Sequence, residues 1–572
     1  MNRRVVGIVL LTVLSLTLSS ARGNWHVWAV GETARVLRSA PPAQGTAVTL
    51  HAARNEWESF QILMRSDAPV TGIRVEASDL TGPAGHVLRT TDMRLFREHP
   101  LHLTVGTVRN DHFKPDWYPD ALIPLRHPLT RKPLGKARFH AMPFDLPDHQ
   151  THGFWIDIHV PPSTPAGLYR GTFHVTSATE PAVAVPVSCT VWPFSLPDRP
   201  TLRTAFGSPA QRMRAYYRAR AKTGKESPPS DWNAVETECA DMLARHHINA
   251  TPVAGSLTPV ARADGSYAIP VDQVNALRRF VDRYHVNAVQ VPAPTRIVKD
   301  PDREQKKMRA WLRAWDEAAR LLDRPEVLFY TYLRDEPNDA EAYQFVRKWG
   351  RAIRSANTVV KVLVVEQTWA QKPEWGDLYG AVDIWCPLFS LFRPASAARR
   401  QALGETVWTY TALCQLKPTP WWHIDYPLLN YRVPAWIAWR YRIKGLLYWG
   451  GLSYWRAVDD PWTDPATYHG SGTYQHGKQG RVYNGEGSLV YPGRAVGYDG
   501  IAPSMRLKAL RDSIEDYEYL AILQRAGRAA EAEKIVVPLA TSWFQWAPNP
   551  SRYESARIQL AKLIVAAQTA GE

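Results

Sequence analysis

Two adjacent acids, Asp335 and Glu336, followed by Pro337, end the apolar and aromatic run Val327-Leu-Phe-Tyr-Thr-Tyr-Leu-Arg334. That run is of strand type, and a helical pattern starts near Ala340. The carboxylates therefore fall where a strand stops and a helix has not begun, the edge at which barrel enzymes carry their chemistry. Two carboxyls at such an edge suit general acid–base work. Pro337 fixes φ and fits the first turn of the coming helix. The same residues also read as acids that cap and favour a helix N-terminus.

Adjacent residues of a strand point to opposite faces. Both acids reach one substrate only if the strand ends or bulges there. Carboxyl pairs that cleave a glycosidic bond usually come from different strands, ~5–5.5 Å apart for retention or ~6.5–9.5 Å for inversion. Neighbouring acids suit another division of labour. One protonates the leaving oxygen, and the other orients a 2-acetamido group whose own oxygen attacks the anomeric carbon. Glu366, at the end of the next strand-like run, is a rival second carboxylate at the same rim.

The elements that must hold these acids are spread over 572 residues, too many for one ordinary core. Residues 1–21 read as a signal peptide. Arg3 and Arg4 precede a short apolar segment, Val5 to Leu18, and then Ser19-Ser20-Ala21. Export follows, to the periplasm or outside the cell, with no membrane-spanning segment in the mature chain. Residues 24–198 carry short alternating runs such as Trp25–Val30, Ser59–Arg65, Trp155–Val160 and Val183–Val191, which predict a β-sandwich. Residues 99–152, rich in Pro, His and Asp, fit poorly and read as a long excursion towards the next domain.

From 201 to 500, strand-like runs alternate with amphipathic helices. The strands are expected at Leu202–Gly207, Ile248–Val253, Asn287–Pro292, Val327–Arg334, Lys361–Glu366, Val382–Leu388, Thr406–Ala412 and Gly445–Gly451. Eight strands with helices between them predict a (β/α)8 barrel of TIM type, with the acid pair at the end of the fourth. A long loop from about 452 is expected over its mouth. Residues 501–572 predict a C-terminal helical region, beginning with Met505–Arg525. There, Arg506, Arg511, Asp512, Glu515 and Asp516 read as a solvated face laced with i,i+4 pairs.

Composition narrows the partners. The 23 Trp and 24 Tyr outnumber 15 Phe. Flat apolar faces with polar handles suit sugar rings, although core packing explains many such residues equally. The net charge of +15 is dispersed, without a basic run or a nucleic-acid motif. Cys189, Cys239, Cys386 and Cys414 form no C-x-x-C pair, and neither H-E-x-x-H nor a phosphate-binding glycine loop is present. No metal and no cofactor are expected. Asp459, Asp460 and Asp464 either bind calcium or cap turns.

Several motifs, in order, carry a resemblance. They are Ala53-Arg54-Asn55-Glu56-Trp57-Glu58-Ser59-Phe60-Gln61, Asp116-Trp117-Tyr118-Pro119-Asp120 and its continuation to Leu125, Asp335-Glu336-Pro337, Val407-Trp408-Thr409-Tyr410 and Gly445-Leu446-Leu447-Tyr448-Trp449. Leu489-Val-Tyr-Pro-Gly493, Ser504-Met-Arg-Leu507 and Leu510 to Tyr519 follow. Over nearly the whole mature chain the sequence resembles glycoside hydrolase family 123 and the related domain of unknown function 4091. The resemblance implies hydrolysis of N-acetyl-β-galactosaminides through an oxazolinium-like intermediate. It implies Glu336 as general acid/base and Asp335 as the acid that holds the acetamido group. Tyr410 is the nearest candidate for a tyrosine that helps to position that group. Trp385, Trp449 and Trp455 are candidate stacking surfaces, and Arg432, Asn484 and Asp499 candidate hydroxyl ligands. Two departures leave the acid pair untouched: Gly-Ile-Ala-Pro at 500–503 in place of a Gly-Pro pair, and Asp-Ser-Ile-Glu-Asp at 512–516 in place of Asp-Gly-Ile-Glu-Asp. Two other readings stay open: a glycosidase of the same fold acting on a sugar without an acetamido group, and a carbohydrate-binding protein that does no chemistry.

Overall fold

A computed structural model describes residues 25–251, 257–412, 418–455, 458–464, 466–469 and 482–571. The expected signal peptide and Cys414 lie outside these residues. No helix among them is long and apolar enough to cross a membrane.

The N-terminal part is β-rich. One sheet orders Trp25–Gly31, Glu56–Ser66, His152–Val160, Met93–Leu103 and Asp116–Pro124, all antiparallel. The other orders Val48–Arg54, Val183–Ser195, Gly167–Thr176, Val70–Glu76 and Phe144–Leu146, with its first pair parallel. The sheets share one apolar core, in which Phe60 and Phe173 meet at 5.7 Å between ring centres. The stretch 99–152 is less of an excursion than its composition suggests. Part of it is strand, the end of Met93–Leu103 and all of Asp116–Pro124, with Tyr118, Ala121 and Ile123 buried in one apolar cluster. Its irregular part does reach forward: the backbone N–H of Thr107 donates to Asp425 at 2.7 Å.

The central part is mixed α/β. Parallel pairing joins Ala288–Val291, Leu328–Asp335, Lys361–Val365, Ile384–Trp385 and Thr406–Val407. A second parallel set joins Thr409–Thr411, Gly445–Tyr448 and Arg203–Ala205. Helices such as Trp232–Ala244, Val271–Arg283, Gln305–Leu322 and Ala340–Ser355 lie between the strands in sequence. The expected ladder of eight is interrupted in two places. Trp408 separates Thr406–Val407 from Thr409–Thr411. Residues 248–251 form no strand, because side chains take over the pairing there: Asn249 donates from its backbone N–H to Thr204 Oγ1 at 2.8 Å and from Nδ2 to Asn287 Oδ1 at 2.7 Å.

The helix Met505–Arg525 overturns an expectation. Its charges are not a solvated face: Arg506, Lys508, Arg511, Asp512, Glu515 and Asp516 are each at most 4% exposed. The helix lies against the outer face of the first N-terminal sheet. Lys508 reaches Asp157 at 2.7 Å, Arg511 donates to Ser59 at 2.7 Å, and Arg506 holds Asp120 at 2.9 Å. Burial alone would raise the Asp157 carboxyl, but Lys508 and Arg511 hold it well below the usual carboxylate range. Charges are buried here because each meets a fixed opposite charge or donor.

Arg432, on the helix Leu429–Arg440, is fully buried in the same network. Its guanidinium forks onto Asp516 at 2.7 and 3.1 Å and bonds Glu32 at 2.7 Å and also Glu554. Burial, then the nearby Glu554 charge, push the Glu32 carboxyl up to about 8. Because this value lies above the ordinary 4.5, the folded chain takes up a proton between the two, and stability falls as pH rises through that window. Glu32→Gln keeps an acceptor for Arg432 but cannot ionise. Its melting midpoint is expected to gain on the wild type from pH 5 to pH 8.5, by at least ~2 °C. Parallel pH profiles of the two proteins by circular dichroism would refute the assignment.

Candidate active site

The strand Leu328–Asp335 decides where the acids point. Phe329 and Leu333 face the layer of helices, whereas Tyr330 and Tyr332 face inward with Leu363, Ile384 and Trp408. Strict alternation would send Arg334 inward and Asp335 outward. The pairing with Lys361–Val365 instead skips a residue between Tyr332 and Arg334. This bulge reverses the parity, as bulges next to functional sites do. Arg334 lies outside, its guanidinium 5.8 Å from the centre of the Phe345 ring, and Asp335 turns inward. Glu336 then adopts φ +38°, a left-handed backbone that non-glycine residues rarely take. The turn brings the second acid to the same cavity. The bend that the sequence required is therefore a bulge followed by a left-handed residue.

Helix capping is done by a different acid. The side chain of Asp339 accepts from the backbone N–H of Ala342 at 2.7 Å at the start of Ala340–Ser355. Asp335 and Glu336 hold tyrosines instead. Tyr332 donates its hydroxyl to Asp335 Oδ1 at 2.7 Å, and Tyr410 donates to Glu336 Oε1. Tyr332 was not singled out from the sequence. A bulge hides it, since ordinary alternation puts it on the face opposite Asp335.

Both acids line a cavity of about 340 Å³, within the ~300–1,000 Å³ of small-molecule sites. Its wall comes from the ends of successive segments: Thr204–Ser208, Asn249–Thr251, Gln290, Val365, Tyr410 and Leu447–Gly451. Trp449 is part of that wall. Its indole N–H donates to Glu486, whose other oxygen lies 2.8 Å from His423 Nε2. Gly487, at φ +70°, lets this loop approach, since a Cβ there would meet the Trp449 ring at 3.0 Å.

Five other candidates lie elsewhere. Trp385 is buried with its N–H on Glu405 at 2.6 Å. Trp455 is buried and donates to Val490 O at 2.8 Å. Asn484 is buried and spends its amide on Val105 O at 3.0 Å. Arg432 belongs to the charge network above. None of them lines the cavity, because each is consumed by the interior that it joins. Asp499 pairs with Arg494 at 2.6 Å, also away from it. Glu366 sits 5% exposed behind the wall. Burial, with a smaller contribution from the Glu336 charge, pushes its carboxyl up to about 8. In the later loop Asp459 meets Lys225 at 2.8 Å and Asp460 meets Arg138 at 2.9 Å. Among the described residues no three His, Cys, Asp or Glu side chains converge as metal ligands would.

The capping role of Asp339 is testable by stability alone. Asp339→Ala is expected to cost about 1 kcal/mol, the loss of an N-cap. No loss in urea titrations of Asp339→Ala would remove the cap from Asp339.

Two family models and one solved structure point to the same family. The model of the glycoside hydrolase 123 catalytic domain matches residues 315–523, and that of the glycoside hydrolase 123 N-terminal domain matches residues 34–177. A family 123 glycoside hydrolase from Clostridium perfringens has the same fold at TM-score 0.63 and 13% identity, covering 95% of this chain and 97% of that one. A Bacteroides ovatus GH5 xyloglucanase matches at TM-score 0.23 and 8% identity, over 82% of this chain and 98% of that one. Bacteroides uniformis β-glucuronidase 2 matches at TM-score 0.25 and 9% identity, over 86% and 49%. No curated protein sequence matches.

Proposed function

This chain belongs to glycoside hydrolase family 123, and from that membership we propose that it is an exported, retaining glycosidase removing N-acetyl-β-galactosamine, or a related N-acetylhexosamine, with help from the substrate's acetamido group. The observation that supports this reading best is the pair of neighbouring acids turned into one cavity by a bulge and a left-handed residue. Acids on adjacent residues approach a sugar from one side. They are poorly disposed to act as acid and nucleophile across the scissile bond, and the acetamido oxygen supplies the nucleophile instead.

In this mechanism Glu336 protonates the leaving oxygen, while Asp335 accepts a hydrogen bond from the acetamido N–H. The amide oxygen then closes on the anomeric carbon and forms the oxazolinium ion. Glu336, now a carboxylate, takes a proton from the water that reopens the ring. The tyrosines hold each acid in place: Tyr332 on Asp335 and Tyr410 on Glu336. This gives Tyr410 a role on the acid rather than directly on the acetamido group. Trp449 offers the sugar a flat wall.

The same reading makes the central strands a (β/α)8 barrel with its second strand replaced by the Asn249–Asn287 contacts. The sandwich occupies 24–198. The barrel occupies 201–500, and the C-terminal helical region 501–572. The C. perfringens enzyme is described as hydrolysing glycolipid glycans, so a glycolipid headgroup ending in N-acetylgalactosamine is the first natural substrate to try.

Glu336→Gln is expected to lower kcat on a natural glycan by ~10²–10⁴-fold. The wild type should cleave an aryl N-acetyl-β-galactosaminide and leave the aryl galactoside and glucoside intact. Full activity in the variant would remove Glu336 from the chemistry. Equal cleavage of the plain galactoside would instead favour a mechanism in which the buried Glu366 is the second carboxylate.

A further inference from the structure

A second cavity, about 400 Å³, lies beside the first. Arg212 lines both. The two cavities share walls as well. The helix Pro209–Lys222 gives Gln211 to the first and Tyr216 to the second, and the chain from Trp449 to Trp455 passes from one to the other. The two cavities therefore adjoin at Arg212, the side chain common to both walls.

Its lining combines aromatic faces with positive charge. Tyr216 and Trp455 meet edge to face at 5.3 Å, and Tyr454 packs on Trp449 at 4.9 Å. Arg212, Arg220 and Lys225 face a single carboxylate in the lining, that of Asp459. Lys225 bonds Asp459 at 2.8 Å, and Arg220 is occupied by the Asp459 carbonyl at 2.6 Å and by Glu226 at 2.9 Å. Arg212 is exposed and has no carboxylate within ion-pair distance among the described residues; its guanidinium lies 5.9 Å over the Tyr454 ring. An arginine between two cavities, without an acid partner among the described residues, is suited to a planar or tetrahedral anion held by two N–H groups. The chain's charge of +15 adds a long-range field of the same sign.

We propose that this second cavity is the leaving-group site and that Arg212 selects substrates whose next sugar carries a carboxylate or a sulfate. The proposal rests on the hydrolase reading above and adds the chemistry of the part released. The aromatic wall at Tyr454 receives the ring, and Arg212 holds the anion.

The test uses the full chain and three disaccharides in which N-acetyl-β-galactosamine is joined to a neutral hexose, a hexuronic acid or a sulfated hexose. The wild type is expected to prefer at least one acidic disaccharide over the neutral one by about tenfold in kcat/KM. The carboxylate and sulfate arms identify which anion is read. Arg212→Ala should collapse that ratio towards one, mainly through KM, with Arg212→Lys keeping part of it. A wild-type ratio near one, or a ratio unchanged by Arg212→Ala, would overturn the proposal. Calorimetry on Glu336→Gln with the same acidic saccharides separates the two assignments. Binding that depends on Arg212 without turnover by the wild type would reject the reaction and keep the anion site. Cleavage of the aryl glycoside without any Arg212-dependent preference would do the reverse.

Discussion

Burying a charge is tolerable only where an opposite charge or a full set of donors is waiting. That constraint fixes how the parts of this protein meet. The helix Met505–Arg525 presents charges on several sides and buries all of them but Arg525 at its end, so only a seating that satisfies Asp120, Asp157, Ser59 and Arg432 together is allowed. The contacts continue to the cavity. Arg506, clamped on Asp120, also holds the carbonyl of Gly485 at 3.0 Å. The next two residues in that loop act on the cavity wall: Glu486 takes the indole N–H of Trp449, and Gly487 donates its N–H to the Tyr448 hydroxyl at 2.7 Å. A salt bridge between a sheet strand and a distant helix thus sets the position of an aromatic side chain lining the cavity.

The acids themselves depend on local backbone geometry rather than on charge. A one-residue slip in the pairing of Leu328–Asp335 turns Asp335 inward, and the unusual φ of Glu336 turns the next side chain after it. Local preference opposes this arrangement, and the surroundings hold it in place. Pro337 restricts the backbone that follows, Asp339 anchors the helix beyond, and Tyr332 and Tyr410 grip the two carboxylates. Such strain gathers where a site must present groups that an ordinary strand would separate.

Much of this was legible from the chain. The strand-like runs around 203, 288, 328, 361 and 445 fall on observed strands, and the helix expected near Ala340 begins there. Periodicity carries that information, and the junction of Asp335 with Glu336 follows from it. What escaped depends on contacts distant in sequence. Nothing near Arg432, Trp385, Trp455 or Asn484 shows whether an aromatic or polar side chain faces a cavity or an interior. The buried helix escaped for a related reason. Its charges at i and i+4 match a solvated face, and only the apolar residues spread around its other sides hint at packing in every direction. The missing strand at 248–251 escaped because asparagine side chains do the work of a backbone ladder there.

The network around Arg432 has a consequence for how the protein is made. Glu32 and Arg432 are 400 residues apart, and Glu56 and Arg557 are 501 apart. Synthesis runs from the N-terminus, so the early acids leave the ribosome long before the arginines that neutralise them. Until the helix Ser551–Gly571 has been added, the first sheets keep an acidic face that still needs water. Their sheets can pair early, but the interior cannot close until Arg432 and Arg557 have been made. Until then the nascent chain carries an unfinished surface, the state in which chaperones bind and aggregation begins.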